Sequence, residues 1–362
     1  MGETRSKISR ISSKNSQREC LLRSFSLDSR FIESSLTQSD QPFEVPLRPQ
    51  TLNDFQGQEA VRKRLEIVIT AAKGRNEALG HCLFSGPPGL GKTTLAHIIA
   101  NAMGSHLVVS SGPAIEKAGD LAGLLTNLKT GDVLFIDEIH RLTKNAEEYL
   151  YPAMEDFTLD LMIDSGPNAR SVEVKLNPFT LIGATTRSGL LSAPMRARFN
   201  IHLRLEYYDT HTLQQILLRT ANLLHVSIDS SASQLIAERS RGTPRIANNL
   251  LRWVRDYAQA HQIPSIEAKT ANNALEMLNI DEAGLEEMDK KILTVIMNHH
   301  EGGPVGLNNL AAAVGEEAHT LEEVYEPFLI LKGFLKRTPR GREATSLAYH
   351  HMGKKAPKRK ME

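Results

Sequence analysis

The chain has 362 residues, of which 41% are hydrophobic, and its 43 basic side chains nearly balance 42 acidic ones. This length predicts two or three globular domains, and the net charge near zero excludes a uniformly basic surface, so any contact with nucleic acid needs a local patch. The two cysteines, Cys20 and Cys82, are too few and too far apart for a disulfide framework or a zinc site. This cysteine usage suits a reducing cytosol, so we expect a cytoplasmic protein, and no apolar run is long enough to span a membrane.

The N-terminal stretch, residues 1–42, is rich in serine, arginine, lysine and glutamine and shows no sustained hydrophobic period. This composition predicts a disordered extension. A targeting signal is the alternative, which three acidic residues in the stretch disfavour. We expect order to begin near Pro46, followed by a helix over Glu59–Lys73 with one apolar face.

A glycine-rich stretch, Gly86–Thr93, matches the phosphate-binding pattern G-x-x-x-x-G-K-[ST]. The apolar run Cys82–Phe84 before it predicts a buried strand, and Leu95–Ala100 after it predicts a helix. A strand, a glycine turn and a helix N-terminus together direct backbone N–H groups and the helix dipole at an anion. In that setting Lys92 reaches the β- and γ-phosphates of a nucleotide, and the Thr93 hydroxyl binds Mg²⁺.

Four apolar residues followed by two acids, Val133–Glu138, predict a second buried strand that ends at the same site. Asp137 is expected to hold Mg²⁺, directly or through water, and Glu138 to polarise the attacking water. Phosphoryl transfer depends mostly on positioning and charge neutralisation, so these groups predict nucleotide hydrolysis rather than nucleotide binding alone.

Strands and helices alternate around these two motifs, which predicts a doubly wound α/β fold with a parallel sheet. The further elements are a strand at Leu107–Ser110, a helix at Leu121–Leu128 with Asp120 as its N-cap, a helix at Ala146–Asp156 and a strand at Phe179–Ala184. Thr185, Thr186 and Arg187 follow the last strand, where a polar group can reach the γ-phosphate or the attacking water.

Residues 157–180 interrupt the alternation with two short strands, Leu159–Asp164 and Ser171–Leu176, joined by a turn-rich linker. This pattern predicts a β-hairpin that projects from the α/β domain. The hairpin is either plain surface or an arm that binds a partner.

Arginines outside the glycine-rich loop are further candidates for phosphate contacts. Arg196 and Arg198 are either surface charge or an arginine finger that reaches the nucleotide of a neighbouring subunit. In the helical segment that follows, Thr243 and Pro244 begin a helix with Arg245 in its first turn. A cation there opposes the helix dipole, which indicates an external anion, although an exposed arginine needs no such partner.

The C-terminal part predicts a third unit, in which three helices precede a basic hairpin. The helices are expected at Met288–His299, Leu307–Val314 and Thr320–Leu331, and the strands at Gly333–Arg337 and Ala344–Tyr349. This order is typical of a winged helix. Arg337, Arg340 and Arg342 at the expected tip form either a phosphate-binding patch for DNA or a solubilising turn. The basic tail, residues 353–362, is expected to be disordered and to add nonspecific DNA affinity.

Six stretches together resemble the RuvB family of AAA+ ATPases, the bacterial motors of Holliday-junction branch migration. They are Gly86–Thr94, Asp137–Leu142, Leu150–Phe157, Gly183–Arg187, Gly242–Arg245 and Arg337–Arg342, and the likeness extends from about Leu47 to His351. The resemblance implies a P-loop AAA+ domain with a projecting hairpin (residues 43–208), a small helical lid (209–279) and a winged-helix DNA-binding head (282–352). The implied cofactors are ATP and Mg²⁺.

The resemblance also implies an assembly and its partners. A homo-hexamer would surround duplex DNA, with the Holliday junction as its substrate. The hairpin at 159–176 looks like the arm that docks on RuvA, and the RuvC resolvase would join the larger complex. No membrane partner is implied.

Residue by residue, the resemblance makes Glu138 the catalytic base, Thr186 sensor 1, Arg198 the arginine finger and Arg245 sensor 2. The implied nucleotide contacts are Leu47, Arg48, Gly89, Gly91, Lys92, Thr93, Thr94, Asp137, Glu155, Asp156, Phe157, Arg198, Tyr208 and Arg245. Thr93 and Asp137 are the implied Mg²⁺ ligands. Arg337 and Arg342 match DNA-contacting positions of the family, and Arg340 lies between them.

Three features depart from the family pattern. Asn200 replaces a glycine after the Arg-Phe pair and is expected to change the backbone just past the finger. Ala318-His319 replaces a more charged pair and is expected to weaken one contact of the head with DNA. The N-terminal extension is longer than is usual in the family. Two other functions stay open at this point. A clamp-loader-like ATPase is disfavoured by the basic wing, and a nucleotide-switch scaffold without catalysis is disfavoured by Glu138 and Arg198.

Overall fold

The structure is a computed structural model, and it describes residues 41–162 and 171–356. Its contacts divide the chain at Glu267 and Ala268 into two compact units. The first unit contains the glycine-rich loop and the second contains the basic hairpin. The division falls inside the segment predicted to be the lid, residues 209–279.

A five-stranded parallel sheet forms the centre of the first unit. Its strands are β1 (Cys82–Ser85), β2 (Leu107–Ser111), β3 (Val133–Asp137), β6 (Thr180–Thr185) and β7 (Ile201–Arg204), in the order β2-β3-β6-β1-β7. Four residues of β3 and all six of β6 are buried, as expected when helices cover both faces of a parallel sheet. The chain starts at β1, moves out to β2 at one edge, returns through β3 and β6, and ends at β7 on the other side of β1, so the predicted doubly wound fold is confirmed.

Six α-helices are described between Gln41 and the last strand of this sheet. They are α1 (Gln41–Leu47), α2 (Glu59–Arg75), α3 (Lys92–Met103), α4 (Ala118–Thr126), α5 (Lys144–Glu155) and α6 (Ala193–Ala197). The predicted apolar face of α2 is buried through Val61, Leu65 and Ile69. The prediction for α4 is wrong in one detail, since Asp120 lies inside the helix, where its Oδ2 accepts the Lys117 backbone N–H at 2.9 Å.

The N-terminal helix α1 begins before Pro46, where we expected order to start. Its Phe43 ring lies 4.7 Å from the Arg252 guanidinium carbon, and Glu44 pairs with Arg245. These contacts to a distant helix stabilise α1, and a reading of local sequence could not include them. The rest of the predicted disordered extension, residues 1–40, lies outside the described residues.

The predicted projecting hairpin consists of β4 (Thr158–Met162) and β5 (Ser171–Lys175), paired antiparallel. Leu159 is fully buried in the core cluster that also contains Leu150 and Met154 of α5, so the base of the hairpin is anchored. Val172, farther out, is 43% exposed. The turn predicted at residues 165–170 lies outside the described residues.

Helices alone follow the sheet: α7 (Thr210–Leu223), α8 (Ser230–Arg239) and α9 (Pro244–Ala260). Aspartates cap the first two, because Asp209 accepts the Thr212 N–H at 2.7 Å and Asp229 accepts the Ala232 N–H at 2.6 Å. The predicted start of α9 at Thr243 and Pro244 is confirmed, but the Thr243 hydroxyl donates to the Ser240 carbonyl and does not cap the helix.

The second unit is built from helices and one hairpin. Its elements are α10 (Ala268–Glu276), α11 (Glu287–His299), α12 (Leu307–Val314), α13 (Ala318–Thr320), a wide π-helical turn (Leu321–Tyr325), α14 (Glu326–Leu331), β8 (Leu335–Thr338), β9 (Gly341–Ala344) and α15 (Ser346–His351). The predicted helix Thr320–Leu331 is therefore interrupted by the π turn. The strand predicted at Ala344–Tyr349 is wrong, because Thr345 caps α15 by accepting the Ala348 N–H at 3.2 Å.

Two features are absent from the described residues. No helix there is both long and apolar enough to cross a membrane. Within the same residues, no group of three or more His, Cys, Asp or Glu side chains is arranged to hold a metal ion.

Candidate active site and nucleic-acid interface

The glycine-rich loop lies between β1 and α3, and three of its glycines have left-handed backbones: Gly86, Gly89 and Gly91. A Cβ at Gly86 would lie 2.4 Å from the Leu205 carbonyl oxygen, and one at Gly91 would lie 3.1 Å from the Phe55 ring. The loop therefore needs glycine for its conformation and its space. The loop leads directly into the N-terminus of α3, where Thr93 and Thr94 occupy the first turn.

Lys92 is the buried cation of this loop. Its Nζ donates to the carbonyls of Gly86 and Pro87, both at 2.8 Å. Burial lowers the pKa of Lys92 to about 8, against the opposing attraction of Asp137 and, more weakly, Glu138. The two acids at the end of β3 therefore lie close enough to Lys92 to raise its pKa.

Glu138 adopts a left-handed backbone (φ 47°) at the end of β3, an arrangement that costs a non-glycine residue about 1–3 kcal/mol. Gly112 permits the turn, since a Cβ there would lie 2.4 Å from the Glu138 carbonyl oxygen. The Asp137 Oδ1 accepts the Glu138 N–H at 2.9 Å, and the Glu138 carboxylate binds Arg141 at 2.9 Å. The strained turn separates the two carboxylates and fixes their directions.

Two threonines lie at the end of β6, the strand next to β3: Thr185 is its last residue and Thr186 follows it. The Thr185 hydroxyl lies 2.9 Å from His140 Nδ1 and accepts the Arg187 N–H at 2.9 Å. The Thr186 hydroxyl is buried and has no hydrogen-bond partner within the described structure. A buried unsatisfied hydroxyl costs about 1–3 kcal/mol, so Thr186 is suited to bind a group that the protein itself does not supply. The contact of His140 with Thr185 was not predicted.

The residues implied to close around the nucleotide base lie together near the loop. Leu47 and Tyr208 are buried, and the Tyr208 hydroxyl donates to the Leu90 carbonyl at 3.2 Å. Burial raises the pKa of Tyr208, which keeps the phenol neutral. Arg48 Nη1 lies 3.3 Å from His97 Nε2, and burial lowers the pKa of Arg48 despite the attraction of Glu44.

Arg245 comes from the first turn of α9 and reaches the same site. Its Nε lies 3.0 Å from Glu44 Oε1, and its Nη2 lies 3.4 Å from Glu44 Oε2. The positive charge of Arg245 also lowers the pKa of Lys92. Only burial and the attraction of Asp137 have larger effects on that pKa. The helical part of the first unit thus contributes a cation to the loop. Glu44, which holds that cation, carried no sequence signal.

Arg198 directly follows α6 as its C-cap residue, and the described contacts of its side chain are with α5 and α6. Nη1 donates to the Pro194 carbonyl at 2.9 Å, Nη2 donates to Glu155 Oε2 at 3.1 Å, and the guanidinium carbon lies 4.2 Å from the Tyr151 ring centroid. Asn200, which stands where the family has glycine, does not have a positive φ angle in the structure. The backbone at this position therefore does not need a glycine.

Three other implied nucleotide contacts lie at the last residue of α5 and just after it, beside Arg198. Glu155 is its ion-pair partner, and the Asp156 N–H donates to Pro152 O at 2.9 Å at the helix end. The Phe157 ring packs edge-on against Phe179, with centroids 5.8 Å apart. Arg198, Glu155 and Asp156 therefore form one surface at the end of α5, with Phe157 anchored beneath it.

The three arginines of the wing lie close to its tip, as predicted, but they differ in burial and in their partners. Arg337 and Arg342 face each other on β8 and β9, and only Arg340 is in the turn. Arg337 is 56% exposed and binds Glu322 at 2.8 Å, and Arg340 is also exposed. Arg342 is buried, because its guanidinium makes two hydrogen bonds to the buried Glu326 carboxylate. Both glutamates lie on the preceding π turn and helix, which the hairpin sequence alone cannot reveal.

Comparisons with known proteins cover nearly all of this structure. The Holliday junction DNA helicase RuvB P-loop domain matches residues 47–205, the RuvB AAA lid domain matches 208–281, and the RuvB C-terminal winged helix domain matches 282–353. The Holliday junction branch migration complex subunit RuvB of Protochlamydia amoebophila (strain UWE25) is 67% identical over 326 residues, which are 90% of this chain and 98% of the relative.

Less similar proteins of the same name also match this chain over most of its length. The same subunit of Parabacteroides distasonis is 57% identical over 322 residues, covering 89% of this chain and 94% of its own. The solved Thermotoga maritima RuvB Holliday junction branch migration motor is 52% identical, with a TM-score of 0.79 over 86% of this chain and all of that one. The expected resemblance is confirmed, and the chain belongs to the RuvB family, with its P-loop, lid and winged-helix domains.

Proposed function

We propose that this protein is an ATP-driven DNA translocase that pulls duplex arms through a RuvA-bound Holliday junction, as in recombination and DNA repair. The observation that supports this most strongly is the presence, in one chain, of a complete P-loop site and a winged helix that both match RuvB. The P-loop family implies nucleotide binding; ATP as the nucleotide and Mg²⁺ as its metal are part of the proposal.

The residues of the loop fit a nucleotide triphosphate. Backbone N–H groups and the α3 N-terminus face the phosphates, and Lys92 exchanges its two carbonyl contacts for phosphate oxygens. Thr93 and Asp137 would hold Mg²⁺, which when bound neutralises charge on the phosphates. Leu47, Arg48 and Tyr208 contact the base side, with Gly89, Gly91 and Thr94 around the phosphates.

Hydrolysis uses the acids and the orphaned hydroxyl at the ends of two adjacent strands. Glu138 accepts a hydrogen bond from the attacking water and polarises it. The unpaired Thr186 hydroxyl donates to the γ-phosphate or holds the water in line. Both groups are fixed before the substrate binds, which is the main requirement for catalysis of phosphoryl transfer.

A second subunit completes the site in this proposal. Arg198 contacts α5 and α6 of its own chain, so we assign it to the nucleotide of the next subunit in a homo-hexameric ring. Glu155, Asp156 and Phe157 occupy the end of α5 beside it and approach the same nucleotide. An arginine finger of this kind typically raises kcat about 10³- to 10⁵-fold.

The remaining cation couples hydrolysis to motion. Arg245 exchanges Glu44 for the γ-phosphate when ATP binds, and it loses that partner again after hydrolysis. The helices α7–α9 move with Arg245. The winged-helix head comes after them in the sequence and is displaced with them. The nucleotide state is thereby converted into a displacement of the head.

The head contacts duplex DNA through the exposed arginines of its wing, Arg337 and Arg340, which bind phosphates. Arg342 binds DNA only if it releases Glu326, so we assign it chiefly to holding the wing in place. The hairpin β4–β5 docks on RuvA through its exposed outer part, where Val172 lies. RuvC joins the larger complex, and the protein acts in the cytoplasm.

A synthetic four-way DNA junction tests the proposal directly. With the cognate RuvA and ATP, the full-length protein is expected to convert the junction into two-arm duplexes. Glu138→Gln is expected to bind ATP and the junction without producing duplexes. ATP turnover by the wild type without junction dissociation would overturn the proposal and indicate a clamp-loader-like role. Junction dissociation by Glu138→Gln at the wild-type rate would exclude the assigned hydrolytic mechanism.

A further inference from the structure

The Arg198 side chain is fixed from three sides within its own subunit. The Pro194 carbonyl and the Glu155 carboxylate accept hydrogen bonds from its two terminal nitrogens, at 2.9 and 3.1 Å. The third contact is the Tyr151 ring, whose centroid lies 4.2 Å from the guanidinium carbon. A cation at this distance over an aromatic face is attracted by the ring, and its plane is set by stacking.

Tyr151 is itself held in place at its other end. Its hydroxyl donates to Glu147 Oε1 at 3.0 Å and lies 3.2 Å from Ser192 Oγ. Ser192 also hydrogen-bonds Glu147 and accepts the Met195 N–H at 3.2 Å as the N-cap of α6. The tyrosine therefore connects α5, on which it lies, to the helix whose last residue precedes Arg198.

The geometry points to Tyr151 as a positioning residue for the arginine finger. The ring supports the guanidinium face while the hydroxyl fixes the separation of α5 and α6, so that the finger approaches the neighbouring nucleotide at a constant height and angle. This inference rests on the proposed role of Arg198. Tyr151 does not touch the reacting atoms and acts only through the arginine.

The two parts of the tyrosine have separable effects. Tyr151→Leu removes the ring face and leaves Glu155 as the main partner of Arg198, which draws the guanidinium toward α5. Misplacing a catalytic group by about 1 Å can cost about 10²-fold in rate, so we expect kcat to fall about 30- to 100-fold. The KM for ATP is expected to change less than about 3-fold, because Lys92 and the P-loop of the next subunit bind the nucleotide. Tyr151→Phe keeps the ring and is expected to recover most of the loss, to within about 3-fold of wild type.

A double-mutant cycle on the full-length protein separates positioning from general damage to the fold. Steady-state ATP hydrolysis is measured for the wild type, Tyr151→Leu, Tyr151→Phe, Arg198→Ala and Tyr151→Leu/Arg198→Ala, with thermal unfolding and ring assembly as controls. The double variant is expected to be no slower than Arg198→Ala alone. A role in positioning predicts this result, since no finger remains to be misplaced.

Each other outcome has one meaning. Tyr151→Leu can be made in the wild type and in the Arg198→Ala protein. If it lowers the hydrolysis rate by the same factor in both, Tyr151 acts independently of the finger and the inference is wrong. If Tyr151→Phe loses as much as Tyr151→Leu, the ring is not the support. If Arg198→Ala is slow while Tyr151→Leu is as fast as wild type, this inference fails and the proposed function stands. If Arg198→Ala itself hydrolyses ATP at the wild-type rate, the finger and this inference fail together.

Discussion

Two arginine–glutamate pairs, one in each unit of the chain, differ in how far their glutamates are buried. Arg198 binds Glu155 at the end of α5, where the glutamate side chain is 53% exposed. Arg342 binds Glu326 inside the winged-helix head, where the glutamate is 2% exposed. Both arginines were predicted to contact phosphates. The first pair can exchange its carboxylate for a phosphate at small cost, whereas the second cannot open without leaving a buried charge.

The difference shows that the partner's burial decides what an arginine can do. An exposed pair contributes about 0–1 kcal/mol, so a phosphate competes with it easily. A buried pair is hard to separate, because each ion left alone lacks both water and its counter-ion. Arg245 lies between these limits, with its Glu44 partner 15% exposed. This order predicts which substitutions affect catalysis and which affect folding.

The largest effect is expected at the exposed pair. Arg198→Ala should lower kcat for ATP about 10³-fold or more, because the finger stabilises charge only in the transition state, and it should leave ATP affinity within about 3-fold. Arg196→Ala, an exposed neighbour on α6, is the matched control and should retain the wild-type rate. Single-turnover hydrolysis with a separate binding titration measures both. Equal losses in the two variants would contradict the finger assignment.

The buried pair should respond in stability rather than in catalysis. Arg342→Ala leaves the Glu326 carboxylate without its partner, and breaking a buried pair in this way costs about 3–5 kcal/mol. Denaturant unfolding of the full chain should show the loss in the transition of the second unit. Arg340→Ala, in the same hairpin but exposed, should change stability by no more than about 0.5 kcal/mol. If Arg342→Ala is as stable as Arg340→Ala but binds DNA more weakly, Arg342 is a free DNA contact.

Lys92 extends the comparison to a buried cation without a carboxylate at hydrogen-bond distance. Its folded pKa of about 8 lies below its ordinary value of 10.5. Burial of the charged lysine therefore destabilises the folded chain below pH about 8. This penalty is relieved as the pH rises from the folded-state pKa of about 8 to the ordinary pKa of 10.5. Phosphate binding requires the charged form. ATP affinity should thus fall up to about tenfold per pH unit above pH about 8, measured with a fluorescent nucleotide.

The control for this prediction is Lys92→Arg, whose guanidinium does not titrate in that range. Its affinity for the nucleotide, whatever its absolute value, should be flat between pH 8 and 10. A parallel decline in both proteins would show that another group controls the pH dependence.

The smallest effect is expected at the intermediate pair. Glu44→Gln removes the charge that competes with phosphate for Arg245 and Arg48, so ATP should bind about 3- to 10-fold more tightly. Glu59→Gln, an exposed acid in the first turn of α2, is the control for the change in net charge. Nucleotide titration measures both. Weaker binding by Glu44→Gln alone would mean that Glu44 holds Arg245 in its binding position.

Much of this site could be predicted because its signals are local. The P-loop glycines, Lys92 and the acids after β3 form a contiguous pattern whose backbone requirements are written in the same residues. The burial of Arg342 was not predictable, because Glu326 lies 16 residues earlier on a different element. Glu44 was missed for the same reason, since its partner Arg245 is 201 residues away. Thr345 and Ser346 gave a local capping signal for α15, and the apolar residues that follow were mistaken for a strand.

The central claim is that each ATP site is completed by Arg198 of the next subunit. Mixing Glu138→Gln protein with Arg198→Ala protein tests it most directly, because neither alone has both groups at any site. Mixed rings contain sites with an intact Glu138 from one variant and an intact Arg198 from the other. We predict ATP turnover well above that of either protein alone, largest near equal amounts. Turnover no greater than the sum of the two separate proteins would place the finger and the base in the same subunit and contradict the account.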